Sequence, residues 1–227
     1  MKILDRNIKL NKPKVILFDW DNTLVDSLEL ICASMRDTFS KFKLNQMPEE
    51  ELIKKIHGPS KLFIETHFPK NVHNKARQTF LDLYDQFSKE KLKLLPNAQG
   101  TLDEVKRQKI RTGVVSNKVS DLLSMEVCEL GLKKYFLTVV GSGDVPEDKP
   151  SPLPVLKALK DIGVNSSQEV WFVGDSAADM GAAHNSNCLP VFFGIDDYTS
   201  KHYSHCQPKV HFKNHAEFIK YLAYLDE

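Results

Sequence analysis

Two aspartates stand two positions apart in the segment Phe18–Leu24, which reads FDWDNTL. The residues before them, Lys14–Phe18, form a short apolar run that is typical of a buried β-strand. Asp19 and Asp21 therefore follow directly on the end of a predicted strand, the edge at which open α/β sheets bind ligands. Paired carboxylates repel each other and lose hydration on burial, so they indicate a site that uses a divalent cation or phosphate chemistry.

Three further segments place reactive side chains in comparable positions. Ser116 ends one apolar run, Asp175 follows another after Gly174, and Lys149 lies in a loop just before a predicted helix. With the first pair, these residues supply carboxylates, a hydroxyl and a cation. Phosphoryl transfer requires this combination of nucleophile, acid or base, metal ligands and charge-neutralising donors.

All four motifs, in this order, resemble the haloacid dehalogenase superfamily of phosphohydrolases, and more narrowly its phosphoglycolate phosphatase-like branch. One such motif alone is a weak signal, whereas four in order along nearly the whole chain are highly specific. The resemblance implies an α/β fold, a Rossmann-like doubly wound parallel sheet with an inserted α-helical cap domain. The matching stretches are Asp19–Ser27, Val115–Lys118, Asp148–Pro152 and Gly174–Met180.

The resemblance also implies catalytic roles for four residues. Asp19 attacks phosphorus to form an aspartyl-phosphate, and Asp21 protonates the leaving group and later activates water. Ser116 and Lys149 bind the phosphoryl oxygens, where charge must be stabilised. Dehalogenases and phosphonatases of the superfamily lack an acid at the position of Asp21, so its presence favours hydrolysis of a phosphate ester or anhydride.

Mg²⁺ is the cofactor that the resemblance implies. Thr23 and Asn117 are expected to assist phosphate binding, although a role in the turn explains both nearly as well. Asp179 is expected as a further metal ligand, and the alternative is that it begins a helix. The predicted metal ligands are Asp19, Asp21 through its main-chain carbonyl, Asp175 and Asp179.

Short strand-like runs recur along the chain, and helical patterns separate the later ones. This βαβ rhythm predicts a parallel, doubly wound sheet. Asn22, Asn97 and Asn187 stand where relatives usually have glycine, and asparagine tolerates the left-handed backbone angles expected there. The predicted strands are Val15–Phe18, Thr112–Ser116, Phe136–Val140, Val170–Gly174 and Leu189–Phe193.

The interval 26–92 holds no convincing strand and is dominated by helical apolar stripes. We therefore expect a catalytic core formed by residues 1–25 and 93–227, and a helical cap formed by residues 26–92. Pro48 is expected to open one of the cap helices, and a crossover helix is predicted within 175–187.

Composition narrows the range of partners. The 227 residues are 41% hydrophobic, and the 31 basic and 30 acidic side chains nearly cancel. Without a basic block or a long apolar run, neither nucleic acid nor a membrane is an expected partner, and a small phosphorylated metabolite is favoured. Scattered cysteines, read as reduced packing residues, and the polar N-terminus predict a cytoplasmic protein.

Two alternatives to the phosphatase stay open. A sugar phosphomutase would return the phosphoryl group to a sugar hydroxyl, and a catalytically inactive relative would only sense a phosphorylated ligand. The second is disfavoured because binding alone does not need a nucleophile paired with a general acid. Phosphoglycolate, nucleotide monophosphates, other sugar phosphates and pyrophosphate all remain candidate substrates, and the oligomeric state is undetermined.

Overall fold

The computed structural model describes residues 2–3, 10–56, 58–195 and 203–225. The strands, in chain order, are β1 (Lys2–Ile3), β2 (Val15–Phe18), β3 (Val25–Asp26), β4 (Lys93–Leu94), β5 (Arg111–Val119), β6 (Thr138–Ser142), β7 (Val170–Gly174), β8 (Leu189–Phe193) and β9 (Val210–Phe212). The helices are α1 (Leu28–Lys41), α2 (Glu49–Lys55), α3 (Ser60–His67), α4 (His73–Lys91), α5 (Ala98–Arg107), α6 (Ser120–Glu129), α7 (Leu153–Ile162), α8 (Ala177–Asn185) and α9 (His215–Tyr224). The contacts divide the chain into two units, Met1–Val25 with Leu94–Glu227, and Asp26–Lys93.

The larger unit is built on a seven-stranded sheet of order β1-β9-β8-β7-β2-β5-β6. Neighbouring strands are parallel throughout, except that β1 pairs antiparallel with β9. Strand β2 lies between β7 and β5, so the chain is wound outward from it in both directions. The prediction of a doubly wound, largely parallel α/β sheet is confirmed, and it brings the ends of three motif-bearing strands together.

Helices cover both faces of this sheet. Val15 and Leu17 of β2 belong to the same buried cluster as apolar side chains of α7 and α8. Phe18 points to the opposite face, where its ring lies 6.3 Å from that of Phe218 in α9. This alternation follows from the two-residue period of a strand. Both faces of β2 are therefore buried, so a polar side chain is accommodated only beyond the carboxyl end of the strand.

Most predicted strands agree closely with the structure. The bounds of β2, β7 and β8 are those expected, whereas β5 is longer than predicted and β6 is displaced toward the C-terminus. The prediction for the three asparagines is also confirmed, since the φ angles of Asn22, Asn97 and Asn187 are 56°, 64° and 58°. The backbone of each asparagine thus takes the left-handed conformation that glycine commonly adopts.

The smaller unit is helical apart from its terminal strand residues Asp26 and Lys93, and it contains α1 to α4. Pro48 precedes α2 as predicted. Aromatic side chains form much of the core: the rings of Phe39 and Phe68 lie 4.6 Å apart, and Phe63 meets Phe39 edge-on at 6.3 Å. No helix among the described residues has the length and apolar character that a bilayer span requires.

Candidate active site

The polar site begins where β2 ends. The main-chain N–H of Asp19 donates to the carbonyl of Val173 at 2.8 Å, which extends the pairing with β7 by one residue. Phe18 pairs with Val114 of β5 on one side and with Val173 on the other. The residues that follow Phe18, Val114 and Val173 are therefore neighbours, although they are far apart in sequence.

Three buried carboxylates gather at this edge. Asp19, Asp175 and Asp179 each offer one oxygen, and these oxygens lie within 4.8 Å of one another. The ammonium of Lys149 donates to Asp19 Oδ1 at 2.7 Å and to Asp179 Oδ1 at 2.6 Å. Its third contact is the carbonyl of Val115 at 2.9 Å. An ammonium group has three N–H donors, so protein acceptors occupy its full capacity.

The electrostatics of this group reflect burial and crowding. Burial raises the pKa of Asp19 to about 7, and repulsion from Asp179 adds to the shift while Lys149 opposes it. Burial also raises the pKa of Asp175 well above its usual value, with Asp179 and Asp19 adding to the effect. For Lys149, burial opposes the charge, but Asp179 and Asp19 outweigh it and raise the pKa of the ammonium.

These features fit a divalent cation. Three carboxylates carry three negative charges when ionised, and Lys149 offsets one of them. A divalent cation would offset the remaining two, and oxygen ligands are those that hard cations prefer. The carboxylate of Asp21 is outside this three-residue group among the described residues. Its predicted contribution to metal binding, through the main-chain carbonyl, stays a prediction.

Asp179 belongs to this cluster and also lies in the first turn of α8. Its Oδ2 accepts from the N–H and the hydroxyl of Ser176, at 2.9 and 2.6 Å, while its Oδ1 faces Lys149. The Ser176 hydroxyl in turn caps the N–H of Asp179, which completes a capping box. The two interpretations of Asp179 from the sequence, as a metal ligand and as a residue at the start of a helix, are thus compatible. Gly174 makes the geometry possible, because a Cβ there would lie 2.4 Å from Asp179 Cγ.

The two residues expected to assist phosphate binding contact other members of the site. Asn117 brackets the main chain of Lys149: its Oδ1 accepts from the Lys149 N–H at 2.9 Å, and its Nδ2 donates to the Lys149 carbonyl at 3.1 Å. The hydroxyl of Thr23 is 3.5 Å from Asp175 Oδ1. Ser116 is buried, and its hydroxyl accepts from the N–H of Lys118 at 3.3 Å. Roles in phosphate binding stay predictions for all three.

Asp21 has a partner that the sequence did not identify. Lys118 Nζ lies 2.8 Å from Asp21 Oδ1, and it also contacts both oxygens of Glu126 at 2.9 and 2.8 Å. Glu126 accepts in addition from the Trp20 indole N–H at 2.6 Å. One signal in the sequence was available: Glu126 shares a helical face with Leu123 and is adjacent to Val127, and a glutamate on an apolar face needs a partner.

His215 is a second buried residue whose contacts reach the loop after β2. Its Nε2 contacts the carbonyl of Thr23 at 2.8 Å and its Nδ1 contacts the Thr101 hydroxyl at 2.9 Å. A carbonyl only accepts, so Nε2 carries the proton and Nδ1 accepts from Thr101. Burial lowers the pKa of His215 to about 4 and keeps the ring neutral. The residue thereby ties the C-terminal helix α9 to the loop that follows β2.

Residues 16–192 match the model of a family described as haloacid dehalogenase-like hydrolase. The chain belongs to this family. The matched interval contains all four motifs, together with the three clustered carboxylates and Lys149.

Curated relatives carry two different names. A phosphoglycolate phosphatase from Aquifex aeolicus is 32% identical over 74% of this chain and 79% of its own length. A pyrophosphatase PpaX from Oceanobacillus iheyensis is 32% identical over 77% of this chain and 80% of its own length. Both relatives are phosphate-releasing hydrolases by name, so the prediction of a phosphatase-type hydrolase of this family is confirmed.

The fold has close matches among solved structures. The crystal structure of a predicted phosphoglycolate phosphatase from Haemophilus somnus covers 94% of this chain and 99% of its own, with a TM-score of 0.81. Its identity is 24%, so this match bears on the fold alone. It agrees with the α/β architecture described above.

Proposed function

We propose that this chain is a Mg²⁺-dependent phosphatase that hydrolyses a small phosphorylated metabolite through an aspartyl-phosphate on Asp19. The observation that carries the proposal is the gathering of three buried carboxylates around one lysine, with Lys149 bonded to Asp19 at 2.7 Å. When bound, a divalent cation would neutralise this site and the phosphoryl oxygens beside it. Asp19, Asp175 and Asp179 would hold it, with the main-chain carbonyl of Asp21.

In the first step, a carboxylate oxygen of Asp19 attacks phosphorus, and the bond from phosphorus to the ester oxygen breaks. Asp21 gives its proton to that leaving oxygen, which departs as a neutral alcohol. Lys149 fixes one Asp19 oxygen and reduces its repulsion of the anionic phosphate. Because the donors of Lys149 are engaged by protein acceptors, direct binding of a phosphoryl oxygen would require the exchange of one contact.

In the second step, water attacks phosphorus of the aspartyl-phosphate while Asp21, now ionised, takes its proton. The bond between phosphorus and the Asp19 oxygen breaks, which frees inorganic phosphate and restores the carboxylate. Asp21 thus returns to its protonated state, and no further reactant is needed. Ser116 and Asn117 lie in β5 just beyond the part that pairs with β2, at the same edge of the sheet, and are proposed to support the phosphoryl oxygens, with Thr23 beside Asp175.

The substrate class is the finer part of the proposal. A phosphoglycolate-like phosphate monoester is our first choice, and pyrophosphate stands beside it because relatives of both names are equally similar at 32% identity. We also propose that residues 26–92 form a cap that selects the substrate. A cytoplasmic location is proposed as well, supported by four cysteines that are all free thiols.

The first test is a turnover screen of purified protein with Mg²⁺. The panel contains phosphoglycolate, pyrophosphate, sugar phosphates, nucleotide monophosphates and p-nitrophenyl phosphate, with inorganic phosphate as the readout. We expect release that EDTA suppresses and that Asp19→Asn abolishes with little change in melting temperature. Phosphatase activity retained by Asp19→Asn would contradict the assigned nucleophile.

The same screen separates the alternatives. A mutase would convert a sugar phosphate into its isomer with little free phosphate, whereas a phosphatase releases phosphate in equal amount to the substrate consumed. Absence of turnover across the whole panel would favour a ligand-sensing protein.

A further inference from the structure

Glu126 is an acidic residue in the middle of α6 whose side chain is only 2% exposed. An ionised carboxylate is seldom buried unless charged or hydrogen-bonding partners compensate for its lost hydration. Burial raises the pKa of Glu126, with Asp21 adding to the shift, while Lys118 and the Trp20 N–H lower it. Phosphoryl transfer as described above does not require this carboxylate.

The partners of Glu126 all lead back to the loop after β2. Trp20, directly between Asp19 and Asp21, donates its indole N–H to Glu126 Oε2 at 2.6 Å. Lys118 bridges the remaining gap, because its ammonium contacts Glu126 and also Asp21 Oδ1 at 2.8 Å. Glu126 therefore holds two consecutive loop residues, one directly and one through Lys118.

These contacts are shielded from solvent. The side chains of Lys118 and Asp21 are 5% and 18% exposed, and Trp20 is fully buried. The Trp20 ring meets Phe136 edge-on at 6.5 Å, which restrains its direction. Charge-assisted hydrogen bonds of this kind are short and directional when desolvated. The arrangement consequently restricts where the carboxylate of Asp21 can point.

We infer that Glu126 is a positioning residue for catalysis: through Lys118 and the Trp20 indole it directs the Asp21 carboxylate at the leaving-group oxygen. The inference rests on the proposed function, in which Asp21 protonates that oxygen. Glu126 itself touches neither substrate nor metal in this scheme. Its contribution appears in the rate of proton transfer, which depends strongly on the placement of the acid.

Leaving-group dependence distinguishes this role from simple support of the fold. p-Nitrophenolate leaves readily without a proton, phenolate less so, and a benzyl alkoxide hardly at all. A misdirected Asp21 should therefore slow benzyl phosphate far more than p-nitrophenyl phosphate, whereas partial unfolding would slow all three equally. The value of kcat/KM is the appropriate measure because breakdown of the aspartyl-phosphate, which is common to all three substrates, does not enter it.

The experiment compares Glu126→Gln, Lys118→Met and Asp21→Asn with the wild type on the three phosphates with Mg²⁺. We expect Glu126→Gln to lower kcat/KM for benzyl phosphate by about 10- to 100-fold, part of the effect of a general acid, and for p-nitrophenyl phosphate by less than about 3-fold. Lys118→Met should show the same pattern. Glu129→Gln, an exposed position of the same helix, is the matched control and should resemble the wild type.

The double variant Asp21→Asn with Glu126→Gln completes the test. If Glu126 acts through Asp21, its substitution adds little once Asp21 is neutralised. A uniform loss across the three substrates in Glu126→Gln and Lys118→Met, or fully additive effects in the double variant, would overturn the inference. If Asp21→Asn itself shows no leaving-group dependence, the acid role in the proposed function fails first, and the two failures are thereby told apart.

Discussion

Among the described residues, two lysines with buried side chains each lie between two carboxylates, and the two arrangements are built for different tasks. Lys149 bridges Asp19 and Asp179, with Asp175 close by. Lys118 bridges Asp21 and Glu126, and an indole N–H completes the group. The first cluster keeps an excess of negative charge that suits a cation. In the second cluster, Lys118 and the Trp20 indole donate hydrogen bonds to the buried carboxylate of Glu126. This arrangement is suited to holding the Asp21 side chain in place.

The largest expected difference concerns the two lysines themselves. Lys149→Met should lower kcat by about 10³-fold on every substrate, because it removes the charge that stabilises the nucleophile and the transition state. Lys118→Met should spare p-nitrophenyl phosphate, as stated above. Steady-state kinetics of both variants on p-nitrophenyl phosphate provide the measurement.

Equal losses of kcat on p-nitrophenyl phosphate in the two lysine variants would contradict the assignment of different tasks to the two clusters. Melting curves of both variants serve as the control for folding, since removal of one member of a buried ion pair commonly costs about 3 to 5 kcal/mol.

A smaller effect is expected from metal addition. Saturating Mg²⁺ at about 100 times Kd would stabilise the folded state by about 2.7 kcal/mol, which raises the melting temperature by about 5 to 10 °C. Asp175→Asn should lose most of this increase, whereas Glu126→Gln should keep it. The measurement is thermal unfolding with Mg²⁺ and with EDTA, and a comparable increase in both variants would show that the cation binds elsewhere.

The last prediction concerns the pH dependence of stability without metal. The pKa of Asp19 is about 7 in the folded chain against an ordinary value of 3.8, so between these values the folded state holds a proton that the unfolded state releases. The free energy of unfolding should consequently fall as pH rises through this window, by at most about 1.4 kcal/mol per pH unit from this group. Above pH 7 this contribution should level off.

Urea unfolding at several pH values in EDTA measures this slope. Asp19→Asn should make it shallower, because an amide does not titrate, and Mg²⁺ should reduce it in the wild type by favouring the ionised carboxylate. A steeper fall in the variant would contradict the assigned direction.

The sequence predicted the sheet well because its determinants are local, and the structure brings the carboxylates of Asp19, Asp175 and Asp179 together at the edge of that sheet. Val15–Phe18 and Val170–Gly174 are short apolar runs that end at polar residues, and their strand bounds agree with the structure. The buried face of a helix was harder to predict from the sequence. In α7, apolar residues recur every three positions at Leu153, Leu156, Leu159 and Ile162, yet the first two are exposed. Val155 and Ala158, which lie outside this series, are buried. Residues spaced by three drift about 60° per step around a helix, so such a series indicates a helix without defining its buried face.

The cluster around Lys118, which contains Asp21, Glu126 and the Trp20 indole, could not be predicted from the sequence. Trp20 and Glu126 are 106 residues apart, and either one alone is an ordinary aromatic or helical residue. Their contact depends on how α6 packs after β5, which residue patterns do not specify. The hydrogen bonds between Asn117 and Lys149 could not be predicted for a related reason. They involve the main chain of Lys149, and every residue type offers the same main-chain groups apart from the missing N–H of proline.

Asp179 divides its two oxygens between the start of α8 and Lys149. Substitutions at Asp179 and at Asp175 should therefore differ in how cleanly they change the cation preference of the proposed metal site. Remodelling at Asp179 alters ligand geometry and helix initiation together, and any loss of activity would have two inseparable origins. Asp175 lies just before that helix, which makes it the cleaner position for tuning ion preference.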